Sequence, residues 1–207
     1  MTVLTYQTLA APCYAEFKDK GSKFMAFAHP ISSSDEVKAL LEPLKKEHFK
    51  AVHFCYAYRL GPDGADFRAN DDGEPSGSAG RPILGQIDSA ELTDVVVIVV
   101  RYFGGTLLGV PGLIQAYKSA TALALAEGEV LSKNVTYHAL LSFEYATMND
   151  VMRLIKGHDV TVLSQEMTYD CRLKVSIPLA QKEAFLNAIT HLRTVKISST
   201  NSECLPE

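Results

Sequence analysis

Two stretches of this sequence gather residue types that can do chemistry. The first, DDGEPSGSAGRP at residues 71–82, sets the carboxylates of Asp71, Asp72 and Glu74 and the hydroxyls of Ser76 and Ser78 among glycines. Closely spaced carboxylate oxygens suit a hard cation, although the spacing is not that of an EF-hand loop. The alternative is a solvated loop whose carboxylates accept backbone N–H groups or pair with Arg81. Ser-Gly-Ser-Ala-Gly misses the G-x-S-x-G nucleophile elbow, because position 76 is not glycine. A serine nucleophile also needs a base within reach. His53 is the histidine with a claim, and it falls in a strand pattern where a structural role is expected. No catalytic residue and no metal ligand is therefore assigned.

The second stretch, RYFGGTLLGVPGLIQAYKSA at residues 101–120, puts Gly104 and Gly105 before a helix pattern, between Arg101 and Lys118. Free N–H groups at a helix N-terminus hold anions, and the two cations would add charge. The spacing is neither G-x-G-x-x-G nor a P-loop. A tight strand-to-helix connection needing glycine for close packing or positive φ explains the same residues. Lys18, Lys20 and Lys23, with Arg59, Arg68, Arg81 and Arg101, are candidates for a local basic face. Lys18 and Lys20 share a side if 17–20 is extended. Phe24, Tyr56, Tyr58 and Tyr102 are interleaved with them, as in surfaces that combine phosphate contact with base stacking. Solubilising lysines and core aromatics account for the same pattern.

The elements that must position these residues can be read around them. An alternating run at 22–31 reads as a strand. Ser33 and Glu36 suggest a capping box ahead of Val37, Leu40, Leu41 and Leu44, with Pro43 expected to kink or shorten that helix. Residues 53–60 read as a strand, 61–80 as a long loop and 81–90 as a short helix. The unalternating VVVIVV at 95–100 suits a strand covered on both faces. A helix over 112–127 carries Leu113, Tyr117, Ala120 and Ala124 on one stripe. Beyond a polar linker at 129–134 come strands at 135–145, 160–169, 171–178 and 195–201. Two helices interrupt them, one after Thr147 with Asp150 three residues on, the other at 180–192. That βαββαβ order is the ferredoxin-like one. The expected class is α+β, with an N-terminal domain over 1–128 and a C-terminal ferredoxin-like domain over 135–207.

Composition bounds the function. With 47% hydrophobic and 21% charged residues, the 207-residue chain can bury a core without staples. The net charge of −4, with neither half basic, argues against a general nucleic-acid coat but leaves room for a local basic patch. Cys13, Cys55, Cys171 and Cys204 lack zinc-ligand spacing and read as reduced thiols. No secretory signal pattern and no apolar run of membrane-spanning length is present, so a cytoplasmic protein off the membrane is expected.

At residues 71–82 and 101–120 the sequence resembles the IMPACT/YigZ family, through its DDGEP-x-GTAG-x-P and VVRY[YF]GG-x-LLG-x-GGL-x-x-AY signatures. FKDKGSKFMAFAHP at 17–30 and HFCYAYRLG at 53–61 resemble the family's entry strand and the strand after it. Ser78 stands where threonine is usual, which keeps the hydroxyl. Val110-Pro111 replaces a glycine-containing pair, so position 111 has no N–H to donate. The resemblance implies an N-terminal α/β sandwich like one found in ribosomal proteins and elongation factor G, and a small second domain. It also implies a translation-linked role, with RNA or the ribosome as partner and no cofactor. A binding role is preferred to an enzymatic one. The residues expected to meet RNA or another anion are Lys18, Lys20, Lys23, Arg81, Arg101, Gly104, Gly105 and Lys118. A possible loop site comprises Asp71, Asp72, Glu74 and Ser78. Two alternatives stand beside this: an enzyme acting on a phosphate-containing small molecule between the two glycine-rich blocks, and a protein-interaction module.

Overall fold

A computed structural model describes residues 2–167, 170–192 and 194–199. The expected turn at Tyr169, the last residues of the final strand and Cys204 lie outside them. The chain forms two compact units, one over Tyr6–Lys133 and the other from Asn134 onward together with the first few residues. The class is α+β.

The first unit is built on a five-stranded antiparallel sheet ordered β2-β3-β6-β4-β5. Its strands are β2 (Cys13–Asp19), β3 (Ser22–Pro30), β4 (His53–Leu60), β5 (Asp66–Asn70) and β6 (Val95–Tyr102). The central β6 shows why VVVIVV does not alternate. Val95, Val97 and Val99 pack under α2 (Gly80–Ser89) and α3 (Gly109–Ala126). Val96, Ile98 and Val100 pack with Val37 and Leu44 of α1 (Asp35–Glu47) on the opposite face. All six are fully buried, so helices cover both faces and every position must be apolar. A separate pair, β1 (Thr5–Leu9) with β7 (Val130–Asn134), carries the first and last residues of the unit.

Several local expectations change. The 61–80 loop contains β5, an edge strand whose residues are mostly exposed and therefore show no alternation. The 129–134 segment, read as a polar linker, contains β7. Pro43 does not end α1, which continues to Glu47. Only half of the capping box forms: Glu36 Oε1 accepts the N–H groups of Ser32 and Ser33 at 2.8 and 3.1 Å, while the N-cap, Ser34, makes no side-chain cap. α3 begins at Gly109, earlier than expected. Pro111 falls in its first turn, where a missing N–H costs nothing because those groups have no helical partner.

The second unit runs β8 (Thr136–Glu144), α4 (Met148–Gly157), β9 (Thr161–Met167), β10 (Asp170–Pro178), α5 (Lys182–Thr190) and β11 (Lys196–Ser199). Its antiparallel order β11-β8-β10-β9 is that of the ferredoxin-like split βαβ arrangement. Leu141, Leu173, Val175 and Ile177 of the sheet meet Val151, Ile155, Phe185 and Ile189 of the helices. Thr147 makes no side-chain cap; its hydroxyl lies 2.9 Å from that of Thr194.

Candidate functional site

The 71–80 loop is held from within. The N-cap of α2 is Ala79, which has no side chain able to cap. Asp71 does this work from eight residues earlier. Its Oδ1 accepts the N–H groups of Ala79 at 3.0 Å and Gly80 at 2.8 Å, and its Oδ2 accepts that of Gly77 at 2.8 Å. Burial raises the Asp71 pKa, but these three N–H groups and nearby Arg81 outweigh it and hold the carboxyl below its ordinary value. Asp72 Oδ2 accepts the Phe54 N–H at 2.7 Å. The Asp72 carbonyl faces His53 Nδ1 at 2.8 Å, so that nitrogen carries the proton. Ser78 is buried, and its hydroxyl donates to the Pro75 carbonyl at 2.6 Å.

Glu74 joins this loop to the second glycine-rich stretch. Its side chain is 3% exposed, and Oε1 accepts from Arg101 Nη1 at 2.6 Å and from the Tyr117 hydroxyl at 2.8 Å. Glu74 Oε2 lies 3.9 Å from His53 Nε2. Cys55 Sγ sits 3.2 Å from the Tyr117 hydroxyl and 3.0 Å from the Asp71 carbonyl. Burial pushes both the Cys55 thiol and the Tyr117 phenol far up, so both stay protonated at neutral pH. Cys55 is thus no thiolate nucleophile. Among the described residues no group of three or more His, Cys, Asp or Glu could hold a metal ion. The carboxylates of Asp71, Asp72 and Glu74 accept hydrogen bonds from different donors.

Arg101 sits inside the unit rather than on an open basic face. Its guanidinium carbon lies over two rings, 5.5 Å from the Phe24 centroid and 5.7 Å from that of Phe103. Its Nε is buried without a partner among the described residues. Lys18 and Lys23 both bind Glu16, at 3.0 and 2.6 Å, which reduces their free charge. Arg59 pairs with Asp88 at 2.7 Å and also donates to the Gly64 carbonyl. Lys20 does not share a strand face with Lys18. With φ of 44° it forms, together with Gly21 at 80°, the two-residue turn between β2 and β3. Lys20, Arg81 and Lys118 are exposed, and among the described residues none has a carboxylate at ion-pair distance.

Gly104 and Gly105 of the second stretch do different jobs. A Cβ on Gly104 would stand 1.9 Å from the Gly21 carbonyl carbon, so the backbones of this loop and the β2–β3 turn touch. The Gly104 N–H donates to Ser22 Oγ at 3.2 Å. Gly105 has φ of 86° with open space around its Cβ position. Beside them Phe103 is 47% exposed and Leu107 83% exposed.

Sequence reasoning placed Tyr117 on the core stripe and missed its hydroxyl's role. A lone phenol in a stripe otherwise of leucine and alanine was the available signal, since a buried hydroxyl requires a partner. Phe103 also escaped it, because nothing in the local pattern separates an exposed aromatic from a core one.

The sequence pattern of the Impact N-terminal domain matches residues 20–125. An IMPACT family member from Haemophilus influenzae is 32% identical over 175 residues, covering 83% of this chain and 84% of that protein. The IMPACT family member YigZ of Escherichia coli is 30% identical over 178 residues, covering 85% and 87%. A crystal structure of a hypothetical protein superposes with a TM-score of 0.74 at 27% identity, covering 98% of this chain and 100% of the other.

Proposed function

We propose that this chain, which belongs to the IMPACT family, is a non-enzymatic, cytoplasmic, translation-linked protein that binds RNA or the ribosome. The observation that carries this reading is how the ionisable groups of the two glycine-rich stretches are used. Asp71, Asp72, Glu74 and Arg101 are engaged in internal bonds, whereas Phe103 and Leu107 remain exposed on either side of Gly104, whose backbone touches the turn that carries Lys20. Such a surface is built for contact. The cations offered to phosphate are Lys20, Arg81 and Lys118, with Lys18 and Lys23 secondary because they share Glu16. Among the described residues no helix is long and apolar enough to cross a membrane.

The test is binding of the purified protein to ribosomes and to short single-stranded RNA across a salt series. Affinity should fall with salt, and each phosphate contact removed by Lys20→Ala, Arg81→Ala or Lys118→Ala should flatten the log–log slope by about 0.7. Absence of binding to both at low salt overturns the proposal.

One observation favours a second reading. His53 Nε2, lacking a proton in the neutral tautomer, faces the Glu74 carboxylate at 3.9 Å on a side chain 18% exposed. An enzyme acting on a phosphate-containing small molecule would use this imidazole as its base. Turnover of a phosphorylated metabolite that disappears in His53→Gln would establish that reading in place of the first.

A further inference from the structure

We infer that Phe103 is a stacking platform for an unpaired nucleobase of single-stranded RNA, an inference that rests on the RNA-binding reading above. Three features suit this ring to such a role. First, the Arg101 guanidinium lies over its ring, 5.7 Å from the centroid, while nearly half of the side chain remains open to solvent. A ring backed in this way by a cation offers its open side to a second flat partner. Every base has a π-face to give, which makes such contacts tolerant of sequence.

Second, the ring is held before any ligand arrives. Phe103 follows directly on the last residue of β6, and Gly104 after it is fixed by the N–H bond to Ser22 Oγ and by backbone contact with Gly21. Arg101 is itself fixed by Glu74, buried in the network with Tyr117. Little ordering is therefore left to be done on binding.

Third, a free cation is built in alongside. Lys20 precedes Gly21 in the turn that touches Gly104, and it is exposed. Aromatic face and ammonium together match base and phosphate of one strand. A purely apolar protein partner would have no use for the lysine.

The chain contains no tryptophan, so Phe103→Trp introduces a single fluorescent reporter at the platform. Its emission should be quenched as short single-stranded RNA is added, with affinity equal to or tighter than that of the unsubstituted chain. Phe103→Leu keeps apolar bulk without the π-face and should bind the same RNA about 5- to 150-fold more weakly. It should lose little on an RNA of equal length whose bases are replaced by abasic sites. Equal RNA affinity for Phe103→Leu and the unsubstituted chain overturns the platform and leaves the RNA reading standing. Equal weakening of Phe103→Leu on normal and abasic RNA gives Phe103 a structural role and also overturns it. If the unsubstituted chain binds neither RNA nor ribosomes, the functional reading falls and the platform with it. If Phe103→Leu weakens binding of a protein while RNA affinity is untouched, the surface is a protein-docking one instead.

Discussion

Replacing Glu74 by alanine removes the carboxylate from Arg101 and Tyr117 and leaves the guanidinium buried. The side chains of Glu74 and Arg101 are 3% and 7% exposed, and the pair is closed at 2.6 Å. Burial does not neutralise a guanidinium. The Arg101 Nε already lacks a partner among the described residues. Breaking a buried pair from one side costs about 3–5 kcal/mol, a large share of the roughly 5–15 kcal/mol that holds a typical domain together. Removing both charges with Glu74→Leu and Arg101→Met should cost far less, and replacements of this kind are often neutral. Tyr117 then keeps Cys55 Sγ, 3.2 Å away, as a weaker partner. Because the second unit has its own core, the readout should come from the first. Hydrogen exchange of the β6 amides, the most buried strand of that unit, reports its opening free energy. Glu74→Ala should lower it by about 3–5 kcal/mol, and the double variant should recover most of that. A loss below about 1 kcal/mol in Glu74→Ala, or a double variant as damaged as the two single changes added together, would refute the account of the pair as a buried tie.

Asp71→Asn keeps one acceptor of the three-bond cap on α2 but loses the charge, and should cost about 1–2 kcal/mol at neutral pH by urea unfolding. The Asp71 pKa is depressed in the folded state, so its contribution is present above the ordinary value of 3.8 and is lost as pH falls through the lower folded value. The gap between the two proteins should therefore narrow below about pH 3.8; an unchanged gap at lower pH would remove the charged cap from the account. Alanine at Gly104 drives a Cβ into the Gly21 backbone and should separate the β2–β3 turn from the loop. At Gly105, where only the positive φ is at stake, alanine should cost about 1–2 kcal/mol. Thermal melts that rank Gly105→Ala as the more damaging would contradict the close-approach argument.

What could be read in the sequence follows from what leaves a local trace. VVVIVV announced a strand covered on both faces because burial of every position leaves no alternation, and the stripe of α3 was legible from its spacing. β5 and β7 left no such trace, since their residues are largely exposed and their polar side chains resemble loop composition. Glycine-rich connections were legible as close approaches or positive-φ turns in general, but not which glycine did which: Gly104 touches another turn 83 positions earlier in the chain, at Gly21. The capping role of Asp71 was one of the readings open from composition. The tie between Glu74 and Arg101 was not, because residues 27 apart meet only once the sheet and α3 are assembled.

Asp71, Asp72, Glu74 and Ser78, which invited a catalytic or metal-binding reading, act as internal ties, and this bears on where function resides. Asp71 replaces a cap that Ala79 cannot provide. Glu74 binds the loop to β6 through Arg101 and to α3 through Tyr117. Gly104 lets the loop after β6 lie against the β2–β3 turn. Arg101 is the common member: one nitrogen is held by Glu74 while the guanidinium lies over Phe24 in the core and over Phe103 at the surface. A change at buried Glu74 therefore reaches the exposed ring through a single intervening side chain. If the exposed ring is the contact, variants of Glu74 that still fold should weaken binding without touching the ligand, and they should do so in proportion to the freedom they give Arg101.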